Sequence, residues 1–327
     1  MNTSTAQTNC HTNLGLVDPL GEALHFLHMN GMLYSRSEFT APWGLELPPL
    51  PNRLMFHVVM SGRCWLELDG QPPQFLQPGD FALVPHGEGH TLLSAPGVPA
   101  KHLFDVPSQM LSERYEVLRQ DGGGEPISMI CGVIRFEHPA AHQLIQLLPK
   151  LIFVEAWRSP HQEWIQSTLR FMADEAKELR PGGETVITRL ADILVIQAIR
   201  LWIANDPAAQ TGWLGALKDK RIGYAILLMQ RNPEQSWTVA SLAEQVNMSR
   251  SAFAARFKDL VGESPLQYLT RWRMNMALTR LREEKISMGQ LAEELGYQSE
   301  AAFSRAFKRY IGISPGEARR RDELMAA

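Results

Sequence analysis

From Gln290 to Pro315 the chain reads QLAEELGYQSEAAFSRAFKRYIGISP, and a similar stretch stands earlier as SLAEQVNMSRSAFAARFKDLVGESP, from Ser241 to Pro265. Phe253, Phe257, Lys258, Gly262, Ser264 and Pro265 return fifty residues later as Phe303, Phe307, Lys308, Gly312, Ser314 and Pro315. A repeat in that register marks two copies of one structural unit. Each copy opens with a run carrying Leu-Ala-Glu, breaks at Val246-Asn247-Met248 or Leu295-Gly296-Tyr297, and restarts at a serine, Ser249 or Ser299, suited to cap a helix. In the restarted helix the two phenylalanines lie four apart on one face and must be buried, which frees the opposite face. Helix, tight turn, helix with a free second helix is a geometry that reads DNA.

The junctions agree with this reading. Ser264-Pro265-x-Gln267 and Ser314-Pro315-x-Glu317 each supply a capping serine, a proline at the first helical position and a side chain able to bond back. Ser287-x-x-Gln290 caps the second copy similarly. Between the copies, Leu266 to Arg282 is expected as one helix, a strut of roughly 25 Å at about 1.5 Å per residue. Two reading helices held by it reach successive major grooves about 34 Å apart on one face of the duplex. Charge fits that destination: from Lys218 onward 18 Lys and Arg meet 13 Asp and Glu, a net of +5, while the preceding residues carry −8. A basic module behind an acidic one directs phosphate to the former alone.

Residues from about Met29 to Leu103 have another texture, with short apolar runs (LMFHVVM, CWLEL, FALV, TLL) between turns such as Asp69-Gly70 and Pro78-Gly79-Asp80. This predicts a closed or sandwiched unit of short antiparallel strands, with a further β run near Ile127 to Phe136. After Pro139 helical periods take over. Ile165, Leu169, Met172, Ala176 and Leu179 form one stripe; Ile187, Leu190, Leu194, Ala198 and Leu201 form another, beyond the helix-stopping Arg180-Pro181-Gly182-Gly183. The stripes either pack within one chain or join two chains as a homodimer. Asn205 to Gly215 reads as a linker.

At 327 residues, 45% hydrophobic and 20% charged, the chain has room for more than one core, and no apolar run approaches the roughly 20 residues that span a bilayer. The polar start MNTSTAQTNCHTN lacks the basic and apolar regions of a secretion signal, so a disordered leader, no membrane partner and a cytoplasmic location are expected. Cys10, Cys64 and Cys131 are too widely and irregularly spaced for a disulfide framework or a CxxC pair.

Through LAEELGYQSEAAFSRAFKRYIGISP the C-terminal hundred residues resemble the AraC/XylS family of bacterial transcription regulators. The resemblance implies a monomeric two-unit domain that reads double-stranded DNA with the N-terminal part of each second helix. Carried onto this chain, the base-facing positions are Arg250, Ser251, Ala254 and Ala255, then Glu300, Ala301, Ser304 and Arg305. The two alanines suit apolar contact with thymine methyls, and Arg305 a bidentate contact with guanine; the alternative for Arg305 is a surface ion pair or a phosphate contact. Lys258, Lys308, Arg309 and Arg271 are expected on phosphate or in solvent. RNA polymerase is the further partner expected of such a regulator, an activator by the same resemblance.

Gly79 to Ser94, GDFALVPHGEGHTLLS, resembles the second cupin motif, G-x5-P-x-G-x2-H-x3-N, with Gly79, Pro85, Gly87 and His90 in place and Ser94 standing for the Asn. The first cupin motif is reduced to His57 before Gly62, without its HxH pair and Glu, which argues against a complete enzymatic metal centre. His57 and His90 can still face one interior, with Cys131 and His86 as further ligands, and serve a metal, a small-molecule effector or an oxidant. The alternative is that the histidines hydrogen-bond within the barrel and Cys131 is an inert buried thiol. CGVIRFEHP and WLGALKDKRIGYAI extend the resemblance, to a cupin-bearing subfamily, over most of the chain.

The expected fold is α+β: an N-terminal cupin-like β-barrel (1–138), a helical connector (139–217) and a C-terminal all-α domain with two helix-turn-helix units (218–327). The expected function is sequence-specific transcriptional regulation, answering a small molecule, metal or oxidant through the cupin-like domain. A cupin enzyme with a DNA-binding tail is disfavoured by the missing HxH and Glu. A DNA-repair protein is disfavoured because neither a four-cysteine zinc cluster nor a PCHR-like motif is present.

Overall fold

The computed structural model describes residues 29–136, 139–155, 167–172, 174–175, 180–283 and 286–326, with 18, 20, 21 and 24 near the start. It divides into two compact units, one spanning Phe26–Asp206 and the other containing Pro207–Ala327.

The first unit carries β1 (Met29–Thr40), β2 (Gly44–Leu47), β3 (Arg53–Ser61), β4 (Cys64–Leu68), β5 (Gln74–Leu76), β6 (Phe81–Val84), β7 (His90–Leu93), β8 (Lys101–His102), β9 (Ser108–Met110), β10 (Tyr115–Asp121), β11 (Pro126–Phe136) and β12 (Ile152–Val154). They form a seven-stranded sheet, β12-β6-β3-β11-β1-β10-β9, and a five-stranded sheet, β5-β4-β7-β2-β8. The apolar runs read from the sequence become β3, β4, β6 and most of β7. Alternation along each strand sends Met55, Val59, Met129 and Leu118 from one sheet and Leu45, Leu66 and Leu92 from the other into one shared core. Of the closed and sandwiched alternatives, the described residues show the second: two sheets over a common core, with no ladder joining them, in place of the expected β-barrel.

On the opposite face of the larger sheet Phe56 stacks on Phe81 at 5.8 Å and meets Tyr34 at 6.2 Å. Gly132 makes this fit: a Cβ there would strike the Phe56 ring and stand 3.1 Å from Tyr34. Residues 139–217 are not wholly helical, since β12 pairs with β6. Three residues are too few for any period to declare itself. Helices α1 (Pro139–Gln146) and α2 (Gly183–Asn205) flank β12 in sequence. Of the second stripe, Ile187, Leu194 and Ala198 are buried, along with Ala191, Val195, Ile199 and Ile203, while Leu190 and Leu201 are half-buried. Of the first stripe, Leu169 and Met172 are buried; Ile165, Ala176 and Leu179 lie outside the described residues, as does Cys10.

The second unit carries α3 (Gly212–Lys218), α4 (Lys220–Arg231), α5 (Val239–Gln245), α6 (Arg250–Val261), α7 (Pro265–Glu283), α8 (Met288–Glu294), α9 (Glu300–Ile311) and α10 (Pro315–Ala326). Its helix ends follow from local chemistry. Ser287 accepts from Gln290 N at 3.1 Å, and Ser314 and Glu317 bond reciprocally, at 2.8 Å and 3.3 Å. Thr238 and Ser241 form a capping box ahead of α5 that the repeat alone did not indicate. The linking helix α7 has 19 residues, about 28 Å of strut. No helix among the described residues is long and apolar enough to cross a membrane.

Candidate functional site

Both repeat copies place their second helix by the same devices. Ser249 Oγ accepts from Ala252 N at 3.3 Å and Ser299 Oγ from Ala302 N at 3.2 Å, so α6 and α9 start at matching points. Gly262 and Gly312, both at φ 88°, end them in the left-handed conformation. Phe253 with Phe257 and Phe303 with Phe307 are fully buried, ring centres 5.7 and 5.8 Å apart, and hold each helix down by one face.

The opposite faces carry Arg250, Ser251, Ala255 and Lys258 on α6, and Glu300, Ala301, Arg305 and Lys308 on α9, all exposed; Ala254 and Ser304 are half-buried beside them. Arg250 and Arg305 form no hydrogen bond or ion pair among the described residues. Arg271 differs, since it is tied to Glu263 at 2.9 and 2.6 Å, and Arg309 lies over the Tyr310 ring at 5.8 Å.

One basic feature escaped sequence reasoning. Arg256 on α6 reaches Asp219 with Nε at 2.9 Å and Nη2 at 2.5 Å, while Asp219 caps α4 by accepting from Arg221 N and Ile222 N. Burial pushes the Asp219 carboxyl up, but the Ile222 amide, Arg256 and the Arg221 amide together hold it below its ordinary value. Lys218, Asp219, Lys220, Arg221, Met248 and Arg256 line a recess of about 480 Å³ beside α6. The run Lys218-Asp219-Lys220-Arg221 was the available signal, but nothing in it names Arg256 as its neighbour.

In the first unit, His57 on β3 and Cys131 on β11 stand directly opposite in the ladder and so share a face. With His90 on β7 they form one chain of hydrogen bonds whose direction can be deduced. His90 Nδ1 lies 3.0 Å from the Glu88 carbonyl, which only accepts, so His90 carries its proton there and its Nε2 accepts. His57 Nε2, 2.6 Å away, is then the donor, and His57 Nδ1 accepts from the Cys131 thiol at 3.0 Å. In this arrangement every member of the chain is neutral. Electrostatics agrees: burial, and then His90, holds His57 well below its ordinary pKa; burial lowers His90; and burial pushes Cys131 up to about 12 despite the hydroxyls of Ser37 and Ser35.

This geometry does not fit a single metal ion. Cys131 and His90 lie at opposite nitrogens of the His57 ring, whose lone pairs diverge, so the three groups do not converge on one point. Among the described residues no cluster of three His, Cys, Asp or Glu is arranged to hold a metal ion. His86 is engaged elsewhere, with Nε2 donating to the Leu148 carbonyl at 2.9 Å. Ser94, in the place of the motif's Asn, bonds to Trp43 through both its Oγ and its amide. His90 also lines a recess of about 650 Å³, whose rim includes Glu46, Glu67 and Asp69.

Residues 18–204 match a family described as Cupin, and residues 242–321 one described as Helix-turn-helix domain. The chain is 35% identical, over 93% of its length and 98% of the relative's, to an AraC-like transcription regulator of Streptomyces lividans. It is 30% identical to the HTH-type transcriptional regulator AlkR of Acinetobacter baylyi, over 91% of this chain and 98% of that one. It is 28% identical to the RCS-specific HTH-type transcriptional activator RclR of Escherichia coli K12, over 84% and 86%. All three carry the names of transcription regulators. With its cupin domain ahead of a DNA-binding helical domain, the chain belongs to the AraC family of transcription regulators.

Proposed function

We propose that this regulator reads a two-part DNA site through two helix-turn-helix units, with the exposed faces of α6 and α9, and adjusts that reading to a small molecule held in its cupin unit. The observation that carries the DNA half is Arg305: exposed, in the second turn of α9, opposite the buried Phe303 and Phe307, and without a hydrogen-bond or ion-pair partner among the described residues. A guanidinium so placed is available for the O6/N7 pair of guanine. Glu300, Ala301 and Ser304 flank it. On α6, Arg250, Ser251, Ala254 and Ala255 form the matching surface, where the alanines favour thymine methyls. Lys258 and Lys308, further along each helix, contact phosphate.

On the effector side a small molecule is favoured over a metal or an oxidant. The His57 nitrogens point apart, and the high pKa of Cys131 keeps it a thiol, the slow form in oxidation. A ligand in the recess beside His90 competes for the first link of the chain to His57, and acts by binding one arrangement of the unit better than another. The direction of regulation is activation, as the name of the Escherichia coli relative says of that protein, and RNA polymerase is the partner such a role calls for. Ile193 on α2, 45% exposed, is an apolar contact available to a homodimer.

The test is a titration of duplexes with wild type, Arg305→Ala and Lys308→Ala. Arg305→Ala is expected to cost about 1–3 kcal/mol on the specific site and to relax preference at one base pair. Lys308→Ala weakens all sequences alike. Equal losses on specific and random duplex for Arg305→Ala would remove its base-reading role.

A further inference from the structure

We propose that Arg273 and the turn at Gly296 lock the two helix pairs in one phase, so that the chain accepts only DNA sites whose halves are spaced to match. The proposal rests on the reading that α6 and α9 both meet DNA.

Arg273 projects from the linking helix α7. Its Nε donates to the Pro233 carbonyl at 2.6 Å and its Nη2 to the Gln235 carbonyl at 3.0 Å, both in the loop between α4 and α5 of the first copy. The same guanidinium lies over the ring of Tyr297, 5.7 Å from its centre, in the turn of the second copy. One half-buried side chain therefore touches the strut and both units that the strut joins. The loop it grips is itself braced, because Asn232 O accepts from Gln235 N at 3.2 Å and from Trp237 Nε1 at 3.0 Å, and Gln235 O also accepts from Trp237 N at 2.8 Å. Charge-assisted bonds to carbonyls in a partly buried place are costly to leave unmade, so the clamp is stiff rather than incidental.

The two turns show independently where the copies touch. Asn247 and Gly296 occupy the same place in the repeat, and both adopt the left-handed conformation, at φ 52° and 74°. In the first copy an asparagine with an exposed side chain serves. In the second, a Cβ would run into the carbonyl oxygen of Glu234 and stand 2.9 Å from Arg273 Nη2. Turn geometry explains the left-handed residue in both copies, but only the approach of the first-copy loop explains why the second can carry no side chain. A strut fixed at one end alone lets the far unit swing. This one is also tied at its middle, through Arg273, to the loop between α4 and α5.

On DNA, an inserted base pair turns the second half-site by about 35° and moves it by about 3.4 Å, given a turn of about 10–10.5 base pairs in 34–36 Å. A phase-locked reader cannot follow. The experiment selects a site from a random duplex library with the full chain. Affinity is then measured on that site with zero, one added or one removed base pair between its halves, for wild type, Arg273→Lys and Gly296→Ala. The wild type is expected to lose about tenfold or more on either spacing change, a loss on the scale of misplacing a base contact. In either variant the penalty is expected to shrink to about threefold, with affinity for a single half-site kept within about threefold, corresponding to well under 1.4 kcal/mol. Folding is checked by thermal melting, and either variant alone suffices for the comparison. Folded variants that keep the full wild-type penalty overturn the proposal, and wild-type tolerance of an inserted base pair overturns it without any variant. Failure to enrich any duplex sinks the DNA reading of α6 and α9 and this proposal together, whereas equal penalties on an enriched two-part site sink this proposal alone.

Discussion

Arg305 is exposed and bonds to nothing among the described residues, whereas His57 is 1% exposed and bonded at both ring nitrogens. The contrast runs through the two units. In the helical one the residues proposed to meet DNA are those the scaffold leaves unused, while Phe253, Phe257, Phe303 and Phe307 do the holding. In the cupin unit the candidate residues are themselves part of the packing, each satisfying the next. A surface of unused side chains can change its specificity without refolding. An interior of mutually bonded groups loses stability with any member, because a buried donor or acceptor left alone keeps its full desolvation penalty.

The most severe way to probe the contrast is Phe303→Ala, which removes the anchor under α9 and leaves a void in the core formed with Met274, Leu291, Leu295 and Phe307. We predict a loss of about 3–5 kcal/mol in denaturant unfolding of the helical unit, and loss of specific DNA binding with it. Stability within about 1 kcal/mol of wild type would show that the holding face is not where the burial pattern puts it.

Next comes His57→Ala, which strands the Cys131 thiol and the acceptor of His90. A cost of about 1–3 kcal/mol to the cupin unit is expected, read by thermal melting at pH 8. The same variant tests the pH dependence. Both imidazoles have lowered pKa values in the folded unit, so on acidification the unfolded chain takes up protons first, near its ordinary value of 6.5. Stability present above that pH is lost progressively below it, until the lowered folded values are passed. A melting temperature in His57→Ala that falls between pH 7.5 and 5 as steeply as in wild type counts against the neutral chain.

Smaller still is the effect of Cys131→Ser, since a serine hydroxyl can donate to His57 Nδ1 in place of the thiol. The expected cost is about 1 kcal/mol or less, with DNA affinity and its response to ligands unchanged. A response abolished in this variant alone would restore the thiol as the sensor. Arg305→Ala sits at the end of the series: whatever it does to DNA binding, melting should move by no more than about 0.5 kcal/mol.

Much of the helical unit was legible because its devices are local and occur twice. Serine caps, the Phe pairs and the Gly ends each act over a few residues, so spacing alone exposes them. The cupin unit was legible in its strands and in the motif around His90, but not in its pairing. β12 is too short to show a period, and the meeting of β1 with β10 and β11 is settled by closure of the sheet over distant segments. That His57, His90 and Cys131 share an interior could be read from alternation; which nitrogen faces which partner could not, because that depends on ring rotation. Arg273 left no trace at all. Its partners are backbone carbonyls, which every residue possesses.

The order of strands in the larger sheet also has a consequence in time. β1 is synthesised before the other described strands, yet it takes an interior place, with Tyr34 beside Tyr115 of β10 and Ser35 beside Cys131 of β11. At about 5–20 residues per second its neighbours follow only after an interval on the order of 4–20 s. Until then both its edges stay unpaired, in the condition that invites wrong partners. The repeat copies, by contrast, close largely between neighbouring helices and need no such wait. The vulnerable moment in the life of this regulator therefore falls on the ribosome, before β10 and β11 have emerged, and the candidate sensing interior cannot assemble any earlier.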